Sequence, residues 1–182
     1  MASSLLQERG TVSGNQMRMT RYPEDAGQVF LAGTPLMVNN ANGALKAWDG
    51  VTVAAGIAGV SKEPGANLAT AGIAQQQAIP GGIQYEPAAT NPSRPYFNDG
   101  LTGIILAIQD TLFYGQVGPA QVVAASDKGK QYGMTKDVDG HWYVDKNKVG
   151  AAAVVSIVNI DDWDTVRGVK FVFLPSATQV LA

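Results

Sequence analysis

The sequence predicts an all-β fold, mainly antiparallel, with an extended N-terminal arm. The 182 residues include 21 Gly and 9 Pro, a composition that favours short elements joined by tight turns. Asn-Gly and Asp-Gly dipeptides recur between short apolar runs, as they do in β-hairpins. Since no long apolar stripe with a helical repeat is present, no helix is expected to exceed about three turns.

The predicted arm comprises residues 1–27, which show neither helical nor strand periodicity. Gly10 and Gly14 would interrupt any helix that begins at Leu5 and Leu6. We expect the arm to be mobile in the free protein and to order against another subunit by adding a strand to a neighbour's sheet. A frayed terminus is the alternative. The predicted partner-binding residues of the arm are Met17, Arg18, Met19, Arg21 and Tyr22.

Residues 28–182 are predicted to form a β-rich domain. In its first half, the Asn-Gly pair at 42–43 predicts a type I′ hairpin turn, and the Asp-Gly pair at 49–50 predicts another reversal. The stretch 66–79 is ambiguous between helix and strand, with strand favoured by Pro64 and Gly72. The other strands predicted in this half are 29–31, 35–38, 44–48 and 53–60.

The second half of the domain begins after a Pro-rich stretch at 86–100, which predicts a long exposed loop because proline cannot donate to a sheet ladder. The Asp-Gly pair at 139–140 predicts a two-residue hairpin that pairs 132–136 with 141–145. β-branched and aromatic residues mark the core strands. The strands predicted in this half are 101–114, 121–125, 130–135, 141–144, 149–160 and 169–174.

A shift of 97 positions aligns parts of the two halves. It places the turn at 42–43 on the turn at 139–140, and the small-residue stretch 54–57 on 151–154. Each half would then contain a hairpin followed by a strand, which indicates two similar β units in one molecule. Chance similarity is the alternative, because such turns and strands are common in β-rich chains.

The overall charge and the cysteine count exclude several classes of protein. The net charge of −2, from 13 basic and 15 acidic residues, gives no field that would attract nucleic acid. The absence of Cys removes disulfides, thiolate nucleophiles and cysteine metal sites. No secretory leader or apolar run long enough to cross a membrane is visible, so we expect a soluble protein with no membrane partner. Only 15% of residues are charged, which predicts a neutral polar surface.

The sequence predicts no catalytic, cofactor-binding or metal-binding residues, and hence no enzyme. The single histidine, His141, follows a turn and is expected to have a structural or surface role. No Ser lies in a Gly-x-Ser-x-Gly context, and no phosphate-binding loop is complete. Asp137 and Asp139 resemble the start of a calcium loop, but the later bidentate Glu is missing, so a solvated hairpin tip is the favoured interpretation. The acids at 161, 162 and 164 follow a core strand and precede Arg167-Gly168, which predicts a polar connection with a local ion pair.

Two parts of the chain resemble the capsid decoration proteins of tailed bacteriophages, also called head cement or head-stabilisation proteins. The likeness covers most of the chain after the arm and consists of turns and small residues. The stretches that carry it are 30–36 (FLAGTPL), Gly43, 48–50 (WDG), 55–60 (AGIAGV), 129–136 (GKQYGMTK) and 139–145 (DGHWYVD).

This resemblance implies a non-enzymatic virion protein on the capsid exterior, made in the cytoplasm of a bacterial host. It implies a β-tulip or barrel-like fold, a homotrimer, and contacts with the major capsid protein and with neighbouring copies of the same chain. It implies no cofactor and no direct contact with nucleic acid. The alternatives are a carbohydrate-binding β-sandwich module, for which exposed aromatic residues would provide stacking surfaces, and another virion component such as a head-fibre base.

Overall fold

The fold is seen in a computed structural model that describes residues 6–13, 18–54, 56–62, 64–67, 101–108 and 110–179. Within these residues it contains thirteen strands and two 3₁₀ turns, Ala125–Asp127 and Gly150–Ala152. The predicted loop at 86–100 and most of the predicted strand at 66–79 lie outside the described residues. The strands are β1 Gln7–Thr11, β2 Met19–Pro23, β3 Gln28–Phe30, β4 Pro35–Val38, β5 Leu45–Ala47, β6 Gly59–Ser61, β7 Gly65–Asn67, β8 Leu101–Leu106, β9 Thr111–Gln116, β10 Gln131–Lys136, β11 Trp142–Asp145, β12 Val155–Ile160 and β13 Gly168–Phe173.

The strands form three sheets, and every pair of neighbouring strands is antiparallel. The largest sheet has the order β1-β9-β13-β12-β10-β11, the next has the order β2-β8-β6-β4-β5, and β3 pairs with β7. The prediction of an all-β, mainly antiparallel fold is therefore confirmed. None of the helices in the described part of the chain is long and apolar enough to span a membrane.

The two large sheets contain units with the same topology. We call β2, β4, β5, β6 and β8 the first unit, and β9 to β13 the second unit. Numbered along the chain, the five strands of each unit lie in the sheet in the order first, fifth, fourth, second, third. β1 is an additional strand at the edge of the second unit, beside β9.

The strand register also repeats between the units. The pair Pro35 and Val60 in the first unit corresponds to the pair Gln131 and Ser156 in the second, a shift of 96 positions. The sequence comparison used a shift of 97, which differs by one residue. A one-residue slip exchanges the two faces of a strand, so the strand pairing and not the sequence alignment identifies the equivalent positions.

Each unit curls until its first and third strands meet. Glu24, directly after β2, forms a parallel bridge to Leu45, and Val117, directly after β9, forms a parallel bridge to Val144. In each unit the residue that follows the bridge donates its N–H to the same strand, at 2.7 and 3.0 Å. Because single bridges and not ladders join these strands in the described residues, the units are curled sheets and not closed barrels.

The two units share a hydrophobic core. Its buried residues include Val60 and Ile105 from the first unit and an aromatic cluster of Phe113, Phe171 and Phe173 from the second. The ring centroids in this cluster lie 5.2 to 6.0 Å apart, within the range for favourable aromatic contacts. Burial of all three rings indicates that the inner face of β9 and β13 is a main source of stability.

The predicted strand at 101–114 is divided in the structure. β8 and β9 belong to different large sheets, and residues 107–110 connect them. Thr111 N–H donates to the Ile108 carbonyl at 2.9 Å, which reverses the chain between the two strands. The prediction of one long strand was wrong because the apolar periodicity continues across this turn. The predicted strand at 121–125 is also absent, and an irregular segment lies there.

Both predicted hairpins form, but their loops are longer than two residues. β4 pairs with β5, and Asn39 N–H donates to the Ala44 carbonyl, so four residues form the loop. β10 pairs with β11, and Asp137 N–H donates to the His141 carbonyl, so three residues form the loop. Gly140 in that loop has φ of +89°, typical of a type I turn followed by a bulge.

The predicted arm at 1–27 contributes strands to both large sheets where it is described. β1 pairs with β9, and β2 pairs with β8, all within one chain. These pairs lie within one chain, and the expectation that the segment orders on a neighbour's sheet stays a prediction. The same physical reason applies to both kinds of pairing. An exposed strand edge satisfies the backbone hydrogen bonds of an added strand, which therefore needs no apolar pattern.

Candidate functional site

The outer edge of β2 is the candidate site for binding another protein. β2 is the end strand of the five-stranded sheet, and among the described residues it pairs with β8 alone. Arg18, Met19, Thr20 and Arg21 are exposed, and the Met19 side chain has 53% of its surface accessible. An end strand with exposed side chains is available for pairing with a further strand.

The backbone of β2 presents hydrogen-bonding groups on this outer side. Leu106 N–H donates to the Arg18 carbonyl at 3.0 Å, so Arg18 bonds toward β8. Backbone direction alternates along an antiparallel strand, and Thr20 therefore also bonds toward β8. The N–H and C=O groups of Met19 therefore point to the opposite side, away from β8.

The equivalent edge in the second unit is covered by β1. Thr20 pairs with Ile104 and Phe113 pairs with Phe171, and these pairs occupy the same place in the two units. β1 lies antiparallel along β9 beside Phe113. By this correspondence, the outer edge of β2 at Thr20 is the position that a strand like β1 would occupy in the first unit.

Positive charge surrounds the edge of β2. Arg18 and Arg21 are exposed on the strand, and Lys62 lies beside it with Nζ 3.5 Å from the Met19 sulfur. Glu24, directly after the strand, is only 5% exposed. Arg18 and Lys62 therefore give this edge basic side chains that a partner would meet.

Asp25 lies just beyond β2 and links the end of this edge to the loop of the first hairpin. Its carboxylate accepts hydrogen bonds from the side-chain amides of Asn39 and Asn42, both at 2.7 Å. These hydrogen bonds hold the pKa of Asp25 below its ordinary value, against the smaller opposing effect of desolvation. The charged carboxylate thus fixes the start of the connection from β2 to β3.

The structure describes four of the five predicted partner-binding residues, and they lie in different environments. Met17 lies outside the described residues. Arg18, Met19 and Arg21 are brought together at the exposed edge. Tyr22 is half-buried and packs against a smaller hydrophobic cluster that includes Leu36 and Leu45, so its ring stabilises the first unit.

In the turn of the second hairpin, the acidic side chain of Asp137 forms hydrogen bonds with other residues of the same hairpin. The Asp137 carboxylate accepts from the backbone N–H groups of Asp139 and His141, at 3.0 and 2.8 Å, and from the Tyr143 hydroxyl at 3.1 Å. His141 Nδ1 lies 3.3 Å from the same carboxylate. Desolvation acts to raise the pKa of Asp137, but these hydrogen bonds hold it below its ordinary value. The group stabilises the turn, as the interpretation of a hairpin tip requires.

The importance of the β2 edge could not be read from the sequence. The arm lacks periodicity, and nothing in its residues indicates that 7–11 and 19–23 join different sheets. The only available signal was the repeat between the halves, which aligns residues after the arm. The equivalence of β2 and β9 becomes visible only once strand pairing is known.

No protein-family model matches this chain, and no curated protein matches it either.

Proposed function

We propose that this chain is a non-enzymatic structural protein that binds the outer surface of a bacteriophage capsid and stabilises the lattice of the major capsid protein. In this proposal it acts in the virion as a homotrimer, after synthesis in the cytoplasm of a bacterial host. The proposal rests on the resemblance of 30–60 and 129–145 to capsid decoration proteins and on the exposed end strand β2.

The exposed strand β2, which pairs with no second strand among the residues that the structure describes, is the observation that supports a protein partner. A protein that reinforces a shell needs many modest contacts that act together, and strand addition supplies several backbone hydrogen bonds at each copy. The second unit already holds an added strand, β1, on the equivalent edge. The contact we propose is therefore an antiparallel strand of the major capsid protein or of a neighbouring copy, placed along Met19–Pro23.

The test compares capsid binding of the full chain and edge variants. The capsid is assembled from the major capsid protein encoded nearest to the gene of this chain. Met19→Pro removes an outward N–H, and loss of one strand hydrogen bond of about 1 kcal/mol corresponds to roughly fivefold weaker binding. Met19→Ala keeps the backbone donor and should bind nearly as well as the wild type. Binding is measured by co-sedimentation, and the position of the protein by cryo-electron microscopy.

Two results would contradict the proposal, and they are distinguishable. If the wild-type chain does not sediment with capsids, the function is wrong. If Met19→Pro is folded and binds as tightly as Met19→Ala, the function stands but strand addition at β2 is not the contact. Val138→Ala, at a fully exposed hairpin position, serves as the matched control for a surface change elsewhere.

A further inference from the structure

A small cavity lies on the outer face of the six-stranded sheet. It has a volume of about 170 Å³ and is lined by Leu112 of β9, Lys170 of β13, and Asp161 and Trp163 of the loop that follows β12. Ligand pockets for drug-sized molecules are larger, from about 300 Å³. This cavity therefore has room for one small ring.

Asp161 contributes a buried oxygen that has no hydrogen bond to any residue the structure describes. The residue is only 2% exposed, and its Oδ2 accepts from the backbone N–H groups of Trp163 and Asp164 at 3.1 and 3.2 Å. Its Oδ1 is buried, has no hydrogen-bond partner in the described part of the chain, and lies 3.7 Å from Lys170 Nζ. A buried carboxylate oxygen in this state is stabilised by any ligand group that donates to it.

Trp163 contributes an exposed aromatic surface. Its side chain is 93% exposed, whereas Trp48 and Trp142 are buried and stack on each other with ring centroids 5.0 Å apart. An indole at such exposure gains little from packing within the protein. It offers a flat apolar face to a ligand that covers it.

The charged groups around the cavity suit a ligand with hydroxyl groups. Lys170 Nζ donates to Asp162 Oδ2 at 3.0 Å and is also near Asp161. The two carboxylates outnumber the one ammonium group and repel an anionic ligand. A hydroxyl group both donates and accepts, so it can donate to Asp161 Oδ1 and accept from Lys170.

We propose that this cavity binds one pyranose ring of a neutral saccharide. The apolar face of the ring stacks on Trp163, and a ring hydroxyl donates to Asp161 Oδ1 beside Lys170. This activity is separate from the capsid contact at β2, because the residues belong to a different sheet.

The experiment titrates the full chain with methyl glucoside, methyl galactoside and methyl N-acetylglucosaminide. The readout is the indole N–H resonance of Trp163 in NMR spectra, which the buried Trp48 and Trp142 do not obscure once Trp163→Phe has assigned it. At least one glycoside should shift this resonance with a Kd on the order of 1 mM, as expected for a ligand of this size.

The variants separate the proposed contacts. Trp163→Ala should weaken binding at least tenfold, as judged by ligand-observed NMR, and Trp163→Phe should retain most of it because a ring remains. Asp161→Asn should weaken binding, and its folding is checked by urea unfolding because Asp161 also accepts two backbone hydrogen bonds. Val138→Ala is the control and should bind as the wild type does.

Three outcomes would overturn the proposal. The first is that none of the glycosides shifts the Trp163 resonance. The second is that glycerol shifts it as strongly as the glycosides do, which indicates nonspecific contact with hydroxyl groups. The third is that Trp163→Ala loses capsid binding while no glycoside binds, which assigns the exposed indole to a protein contact. Loss of capsid binding in Met19→Pro leaves this inference unaffected.

Discussion

The buried carboxylate of Asp127 joins an irregular segment to the second hairpin. It accepts from the Tyr132 hydroxyl and from Lys146 Nζ, both at 2.7 Å, and from the Ala124 N–H at 2.9 Å. Desolvation acts to raise the pKa of Asp127, but these hydrogen bonds and the Lys146 charge hold it below its ordinary value. Burial and the same carboxylate raise the pKa of Tyr132 to about 12. Residues 121–125 therefore have defined positions without forming the strand that was predicted.

Asp127→Asn should lower the free energy of unfolding at pH 7 by about 2 to 3 kcal/mol, because charged hydrogen bonds to Lys146 and Tyr132 are weakened. Since the pKa of Asp127 is lowered in the folded state, its contribution is present above the ordinary value of 3.8 and is lost as the pH falls through the folded-state pKa. The difference in free energy of unfolding between the variant and the wild type should therefore become smaller below about pH 4. Urea unfolding measured from pH 7 to pH 3 checks this, and a constant difference would contradict it.

Residue types along the chain predicted the roles of some polar side chains and missed others. The solvated hairpin tip at Asp137 followed from local spacing, because its partners lie within six residues. The ion pair expected near 161–164 is present, but its cation is Lys170, on the next strand. The network around Asp127 could not be predicted, since Lys146 is 19 positions away and is brought close only by the hairpin.

At the scale of elements, turn dipeptides predicted where hairpins occur but not how long their loops are. Asp137 accepts two backbone N–H groups of its own loop, and this favours three loop residues over two. The equivalence of two further turn glycines was not predicted. Gly33 and Gly129 both have φ of +77° at equivalent positions before the second strand of each unit. Strand pairing reveals that equivalence, whereas the sequence shift of 97 misses it by one residue.

Gly140→Ala should destabilise the protein by about 1 kcal/mol, because the residue adopts φ of +89°, which side chains disfavour. Steric overlap does not account for this destabilisation, since an added Cβ would meet only Leu31 Cδ1 at 3.6 Å. Gly140→Asn should therefore destabilise less than Gly140→Ala, as Asn tolerates this conformation. Urea unfolding of the three proteins checks the order.

Gly133→Ala is the contrasting control for that series. An added Cβ there would lie 2.5 Å from Lys148 Cβ and 2.6 Å from the Ala152 carbonyl oxygen. Its effect should exceed that of Gly140→Ala, because backbone and the base of a side chain must move. Equal stability of Gly140→Ala and the wild type would show that the loop adopts another conformation.

At the scale of the whole molecule, the chain consists of two curled units that share a core and differ at their edges. Trp48 of the first unit stacks on Trp142 of the second, and Val60 and Ile57 are buried in the same cluster as Phe171. All-β character and many strand positions followed from turn spacing and β-branched runs. The edge positions did not, because β1 and β2 pair through backbone hydrogen bonds, and the apolar contacts of Leu6 and Tyr22 form no repeating pattern in the sequence.

The two edge strands predict different results for two truncations. Deletion of residues 2–13 removes β1, which is additional to the second unit, and with it the buried Leu6 side chain. This variant should still unfold cooperatively, with its free energy of unfolding reduced by about 2 to 5 kcal/mol, the range for losing a buried leucine side chain.

Deletion of residues 2–23 also removes β2, the first strand of the first unit, and leaves the edge of β8 without its ladder. That variant should lose the cooperative transition of the first unit, observed through the fluorescence of the Trp48 and Trp142 pair. If residues 1–27 were instead an arm separate from the fold, both truncations would unfold at the same urea concentration as the full chain. The comparison thus separates an arm that orders on a neighbour from edge strands that belong to the domain, and it does so in the absence of any capsid.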